Sequence, residues 1–236
     1  MVMAAGYGTR LRPLTDAVPK PMIPVRGRPI IDDVLDRLVE AGIRRVVVNL
    51  HHRGEVIEAH LVRRTDLDIA FSRESEIQDT GGGVRQALPL LGAAPFFVVN
   101  AKIIWRNGRE NALLRLARAW DGTAMDALLL LHPAVDALGY EGQGDFFMDQ
   151  LGRVRRRRSW EVSPFVFTGI QIVHPRLFDG APPGPFSMNL LWDRAIAAGR
   201  LQALRHDGQW FQMSTPRQLE LVEKHLGGTA PAGHGR

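Results

Sequence analysis

Val2-Met3-Ala4-Ala5-Gly6-Tyr7-Gly8-Thr9-Arg10-Leu11-Arg12-Pro13-Leu14-Thr15, followed by Pro19-Lys20-Pro21, opens the chain. The short apolar run from Val2 to Ala5 reads as a strand that ends at two glycines spaced one residue apart. Three cations follow in a loop, Arg10, Arg12 and Lys20, and an amphipathic pattern begins at Ile30. Glycines let backbone N–H groups approach phosphate oxygens with no Cβ in the way, and the cations add charge of the matching sign. A glycine pair alone is weak evidence, because most such pairs are tight turns. The pair joined to T-R-x-R-P-L-T and P-K-P at this spacing is specific.

Outward from that loop, short β-like runs alternate with helical patterns. Apolar spacing predicts helices over 30–41, 54–63, 83–88, 109–119, 188–198 and 216–226. Strands are expected at 45–49, 68–72, 96–100, 127–131, 165–173, 201–205 and 210–213. Segments 145–148 and 153–157, split by Gln150-Leu151-Gly152, read as a hairpin. The rhythm predicts an α/β sandwich of three layers, with a mostly parallel central sheet covered on both faces and a small added hairpin. Residues 1–226 are expected to form one domain. The Gly/Ala/Pro-rich segment 227–236 is expected to be a disordered tail.

The composition is ordinarily globular, with 45% hydrophobic and 23% charged residues in 236. No apolar run approaches the roughly 18 residues of a membrane span, and nothing reads as a signal peptide. The chain opens almost inside its first strand, which leaves room for residues upstream of Met1. Having no cysteine, it forms no disulfide and no thiolate metal site; the expected location is the cytoplasm. The net charge of +5 is concentrated in Arg153-Val154-Arg155-Arg156-Arg157-Arg158. With no aromatic interleaving, that run is expected to be a solvated strand and loop surface, not a nucleic-acid patch.

The opening loop resembles the signature of the nucleoside-diphosphate-sugar pyrophosphorylases, nucleotidyltransferases that join a nucleoside triphosphate to a sugar 1-phosphate. Glu76-Ile77-Gln78-Asp79-Thr80-Gly81-Gly82-Gly83 resembles the compact branch of uridylyl- and guanylyltransferases acting on N-acetylmuramate, mannose or heptose 1-phosphates. The likeness covers Val2 to about Leu226 and implies a Rossmann-like fold of the nucleotide-diphospho-sugar transferase type. It assigns Ala4, Ala5, Gly6, Gly8, Thr9 and Arg10 to the nucleotide, and Arg10 and Lys20 to the reaction centre. Thr80, Gly82, Gly83 and Asn100 are expected near the nucleotide, the glycines letting a flat base lie on the backbone. On the sugar side it points to Asp145, Thr168, Gly169, Asn189 and Trp192. Ser187 and Trp192 read equally well as a helix cap and a core residue.

Two positions depart from the pattern. The family continues the strand after Asn100 with a magnesium-binding Asp, and here that position is Lys102. A second metal-binding Asp stands two residues before a Gly-Thr-Pro, where this chain has Gln212 and Ser214-Thr215-Pro216. At roughly 4 Å and an effective dielectric near 20, a lysine repels a divalent cation by about 8 kcal/mol. Magnesium is implied by the family, yet no metal ligand is assigned in this chain. Lys102 is a candidate catalytic residue, supplying charge in place of part of the metal's role. Ser214-Thr215-Pro216 also reads as a helix start. The expected reaction takes UTP and N-acetylmuramate 1-phosphate first, and GTP with mannose or heptose 1-phosphate second. A catalytically impaired nucleotide-binding relative is the alternative. The expected state is a monomer or small homo-oligomer without nucleic-acid or membrane partners.

Overall fold

The computed structural model describes residues 1–227. The expected tail, 227–236, lies outside them except for Gly227, which ends the last helix. In chain order the elements begin with β1 (Val2–Met3), α1 (Leu14–Ala17), β2 (Pro24–Val25), β3 (Arg28–Pro29), α2 (Ile30–Glu40), β4 (Arg45–Leu50) and α3 (Gly54–Leu61). They continue with β5 (Asp68–Arg73), α4 (Asp79–Leu91), β6 (Phe96–Asn100), β7 (Ile103–Arg106), α5 (Ala112–Ala119) and β8 (Ala127–Pro133). The rest are β9 (Phe146–Met148), β10 (Val154–Arg156), β11 (Phe165–Val173), α6 (Met188–Ala197), β12 (Leu201–Arg205), β13 (Gln209–Gln212) and α7 (Pro216–Gly227).

Strand alternation sorts the core into two. Val46, Val48, Val99, Leu128 and Leu130 join one cluster with Val34 and Leu35 of α2, Ile57 of α3 and Leu116 of α5. Their neighbours Val47, Val98, Leu129 and Leu131 join the other, with Val84 of α4 and Leu191 of α6. Side chains one apart on a strand face opposite ways, so the sheet is covered on both faces, as the β-branched runs predict. The parallel set β6-β1-β4-β5 and the parallel pair β8-β12 are joined through the antiparallel β11. The hairpin β9–β10 extends the sheet beyond β11. A third cluster packs Leu11 of the opening loop against Ile104 of β7, Phe211 of β13, Met213 just after it and Val222 of α7.

The helix expected at 83–88 runs from Asp79 to Leu91, with all three glycines inside it. Glycine costs a helix interior about 1 kcal/mol relative to alanine. Here packing overrides propensity. A Cβ on Gly82 would lie 2.7 Å from the Gly184 carbonyl, and one on Gly83 2.7 Å from Glu74 Oε1. β7, which the sequence reading leaves unassigned, pairs antiparallel with β13 and sets Gln212 opposite Ile103, next to Lys102.

Two imidazoles sit in the core without full partners. His132 of β8 and His206 after β12 have ring centroids 5.6 Å apart, and both His132 nitrogens and His206 Nδ1 lack hydrogen bonds. Burial holds both pKa values below the free value of 6.5. The fold therefore keeps both rings neutral. Their contribution is complete above the unfolded pKa and is lost as pH falls through the folded one. The urea midpoint is expected to fall between pH 7 and 5, and His132→Leu to flatten that fall.

Candidate active site

β1, β4 and β6 run parallel, with Met3 opposite both Asn49 and Asn100. Their carboxyl ends therefore deliver three loops to one place, the position where open α/β sheets bind ligands. There a cavity of about 350 Å3 is lined by Ala4, Ala5, Gly6, Gly8, Thr9, Arg10, Lys20, Thr80, Asn100 and Lys102. All ten are sequence candidates. Tyr7, Asn49, Glu74, Ile77, Asp79 and Ser214 also line it.

Buried polar bonds shape the opening loop. Asn49 Oδ1 accepts from the Ala4 N–H at 2.7 Å, and Asn49 Nδ2 donates to Glu74 Oε1 at 2.6 Å. Glu74 Oε2 accepts from the Gln78 N–H at 3.0 Å, so the loop before α4 joins the same network. Sequence reasoning missed Asn49 and Glu74. A polar residue closing the apolar run Val46-Val47-Val48 was the available signal. Gly8 has a φ of 66°, and a Cβ on it would lie 2.9 Å from Thr15 Cγ2 and 3.1 Å from Lys20 Cβ. Gly6 differs, because a Cβ there would meet no atom within 4 Å. Its missing side chain leaves room for something other than the protein. Gly6→Ala is expected to change stability by less than about 0.5 kcal/mol while weakening anion binding in the cavity, read as a lost triphosphate-dependent shift in melting temperature.

The cations crowd one another. Lys20 is buried, and burial first, then Lys102 and Arg10, drives its pKa down to about 7. Lys102 is walled in by protein while its side chain stays open to cavity water. Its pKa is lowered by burial and then by Arg10, with Asp79 acting in the opposite sense. Arg12 is paired with Asp16 at 3.2 Å, but among the described residues no carboxylate forms an ion pair with Arg10, Lys20 or Lys102. Unpaired cations held together in a cleft make an anion site. The same residues do not fit magnesium. An ammonium occupies the expected ligand position, and the described residues hold no group of three or more metal-ligating side chains.

A second cavity, about 560 Å3, continues from the first and shares Met3, Arg10, Asp79, Thr80, Asn100 and Lys102 with it. Of the sugar-side candidates, Asp145, Gly169, Asn189 and Trp192 line this cavity. The Trp192 indole N–H donates to Gln171 Oε1 at 3.0 Å, and Phe167 stands edge-on to the ring at 4.8 Å. Asp145 accepts from the Phe167 N–H at 2.9 Å; burial raises its pKa against that bond and against Arg157 and Arg156. Gly169 has a φ of 87°, and a Cβ on it would strike the Asn100 amide at 2.6 Å.

Several expectations require correction. Gly82 and Gly83 do not line the first cavity; they pack on the 184–186 segment and on Glu74 and Asn49. Thr168 is fully buried, donates its hydroxyl to the Leu130 carbonyl and accepts from Trp210 Nε1 through its own carbonyl. Gln212 lines neither cavity and points its amide toward Ser214 Oγ at 3.4 Å. Thr215 accepts from the Gln218 N–H, and Gln218 returns a bond to the Ser214 N–H, a reciprocal cap on α7. Ser187 caps α6 and also lines the second cavity. The arginine run is only partly a solvated surface. Arg155 lies over Phe147 at 3.8 Å, whereas Arg156 and Arg157 line the second cavity.

A family model described as "Nucleotidyl transferase" matches residues 1–140. An N-acetylmuramate alpha-1-phosphate uridylyltransferase of Caulobacter vibrioides is 38% identical over 231 residues, 96% of this chain and 96% of the relative. A protein of the same name from Neisseria meningitidis serogroup B is 31% identical over 231 residues, 96% and 97% of the two chains. The crystal structure of HddC from Yersinia pseudotuberculosis superposes with a TM-score of 0.77 at 19% identity, over 95% of this chain and 97% of that one. At that identity the superposition speaks for the fold alone.

Proposed function

The chain belongs to the nucleotidyl transferase family, and on that footing we propose that it joins UTP to N-acetylmuramate 1-phosphate, releasing pyrophosphate. The observation that carries this reading is the junction of the two cavities. One cleft holds a phosphate-shaped loop at one end and a polar and aromatic cavity at the other, with Arg10 and Lys102 between them. Two substrates that must meet phosphate to phosphate would meet there. The full-length likeness to two N-acetylmuramate alpha-1-phosphate uridylyltransferases supports the choice of substrates.

In this reading Gly6, Gly8 and Thr9 hold the triphosphate, and Ala4, Ala5, Thr80 and Asn100 border the nucleotide. Asp145, Asn189 and Trp192 contact the sugar. An oxygen of the sugar 1-phosphate attacks the α-phosphorus. A new P–O bond forms, the bond to the bridging oxygen breaks, and pyrophosphate leaves with the electron pair. The attacking oxygen is already an anion, so no general base is required. The protein aligns two anions and stabilises the charge spread over the transferring phosphorus. Arg10, Lys20 and Lys102 supply that positive charge, and no step passes through a metal at position 102. One domain working in the cytoplasm, as a monomer or small homo-oligomer, completes the proposal; no helix among the described residues is long and apolar enough to cross a membrane.

The test pairs UTP or GTP with N-acetylmuramate, mannose or heptose 1-phosphate and follows pyrophosphate release and product mass. The expected result is a UDP-sugar from UTP and the muramate. A GDP-sugar selects the guanylyltransferase reading. Binding of UTP without any product selects the impaired relative.

A further inference from the structure

Arg156 and Arg157 were expected on a solvated face, yet both line the second cavity, which Arg10 and Lys102 also border. That cavity therefore carries cationic groups from two separate parts of the chain. One set adjoins the nucleotide cavity, where a sugar phosphate would sit. The other rises from the β9–β10 hairpin, which a phosphate already held by Arg10 and Lys102 does not need.

The two hairpin arginines are not equivalent. The Arg157 guanidinium donates to the carbonyls of Gly144, Arg158, Ser159 and Glu161, at 2.9–3.2 Å, and to Gln143 Oε1. It pins the loop through Nε and Nη1, which leaves Nη2 alone to face a ligand. Arg156 has one partner, Asp193 at 2.9 Å, in a pair whose side chains are 36% and 58% exposed. Exposed ion pairs contribute little net stability, so this one exchanges readily for a ligand. Two carboxylates line the same cavity: Asp79 at the end shared with the first cavity, and Asp145, which is already engaged by the Phe167 N–H. Arg156 thus offers a planar fork of donors with a weakly held partner, the arrangement suited to a carboxylate.

We propose that Arg156, held in place by the Arg157-pinned hairpin, reads a second acidic group on the sugar, so that the site takes an acidic sugar 1-phosphate in preference to a neutral one. The inference rests on the reading of this cavity as the sugar site and deepens it. N-acetylmuramate 1-phosphate carries such an acid on its lactyl ether, and N-acetylglucosamine 1-phosphate is the same molecule without it.

Calorimetric titration of each sugar phosphate into the full chain tests this without requiring turnover. Wild type is expected to bind the muramate at least about tenfold more tightly than the glucosamine, the worth of one charge-assisted bond. Arg156→Met is expected to bring the two affinities together, Arg156→Lys to retain part of the gap, and Asp193→Asn to widen it. Glucuronate 1-phosphate set against glucose 1-phosphate distinguishes an acid on C6 from one on the ether. Equal affinities in wild type, no binding of either sugar, or a gap that survives Arg156→Met overturns the proposal. A failure of the uridylyltransferase reading registers elsewhere, as absent UDP-sugar in the product assay.

Discussion

Lys102→Met is expected to lower the transfer rate by about 10²–10³, the loss that follows removal of one preorganised charge-stabilising donor. The side chain borders both cavities, so its ammonium would face the nucleotide and the attacking phosphate together. Because it is open to cavity water and in the turn between β6 and β7, the substitution removes little packing. The melting temperature of the free protein should hardly change. A drop in kcat at a nearly constant KM would mark a group acting mainly in the transition state. The companion variant Lys102→Asp puts a carboxylate in place of the ammonium, on the wall that Asp79 also lines in both cavities. It is expected to bind magnesium by calorimetry more tightly than wild type. Full activity in Lys102→Met would remove the residue from the mechanism.

Lys20→Met is expected to abolish measurable UTP binding and, at the same time, to stabilise the free protein. The folded pKa, about 7, lies below the unfolded 10.5 because burial and two neighbouring cations disfavour the ammonium. The unfolded chain therefore binds the proton more strongly than the folded one. The penalty is complete below about pH 7 and fades as pH rises toward 10.5. At about 1.4 kcal/mol per unit, it amounts to a few kcal/mol, of which the apolar variant should recover part in urea titrations at pH 6.5. A bound triphosphate reverses the preference, since its charge favours the ammonium. Wild type should then take up a proton on binding UTP at pH 8, and its affinity should fall as pH rises above 7. Calorimetry in two buffers of different ionisation enthalpy reads that proton directly. No uptake, with an affinity flat from pH 6.5 to 8.5, would show that Lys20 is charged throughout.

Most of the fold was legible because its signals are local. Val46-Val47-Val48 and Leu128 to Leu131 are apolar at every position, which only a sheet covered on both faces requires. The opening loop was legible for the same reason, with all its candidate residues lying between Ala4 and Lys20. What escaped depends on distant partners. Gly81 and Gly82 read in sequence as lying before a helix that starts at Gly83, and only Phe186, Gly184 and Glu74 explain why helix α4 holds all three glycines. Asn49 and Glu74 meet across two strands, 25 positions apart. Thr168 sits in a strand segment that resembles the family's sugar-side stretch, but its polar atoms go to Leu130 and Trp210. The arginine run misled because like charges in a row suggest one common environment. β alternation instead lays Arg155 on Phe147 and turns Arg156 to the cavity.

The unpaired charge of Arg10, Lys20 and Lys102 is the proposed substitute for a metal, and it is open to one direct measurement. Initial rates of UDP-sugar formation from UTP and N-acetylmuramate 1-phosphate are compared in excess EDTA and in excess magnesium, at pH 7. With Arg10, Lys20 and Lys102 carrying the charge, the expected result is product at rates of the same order in both. A rate that vanishes in EDTA and returns with magnesium would contradict it, and so would the absence of product under either condition.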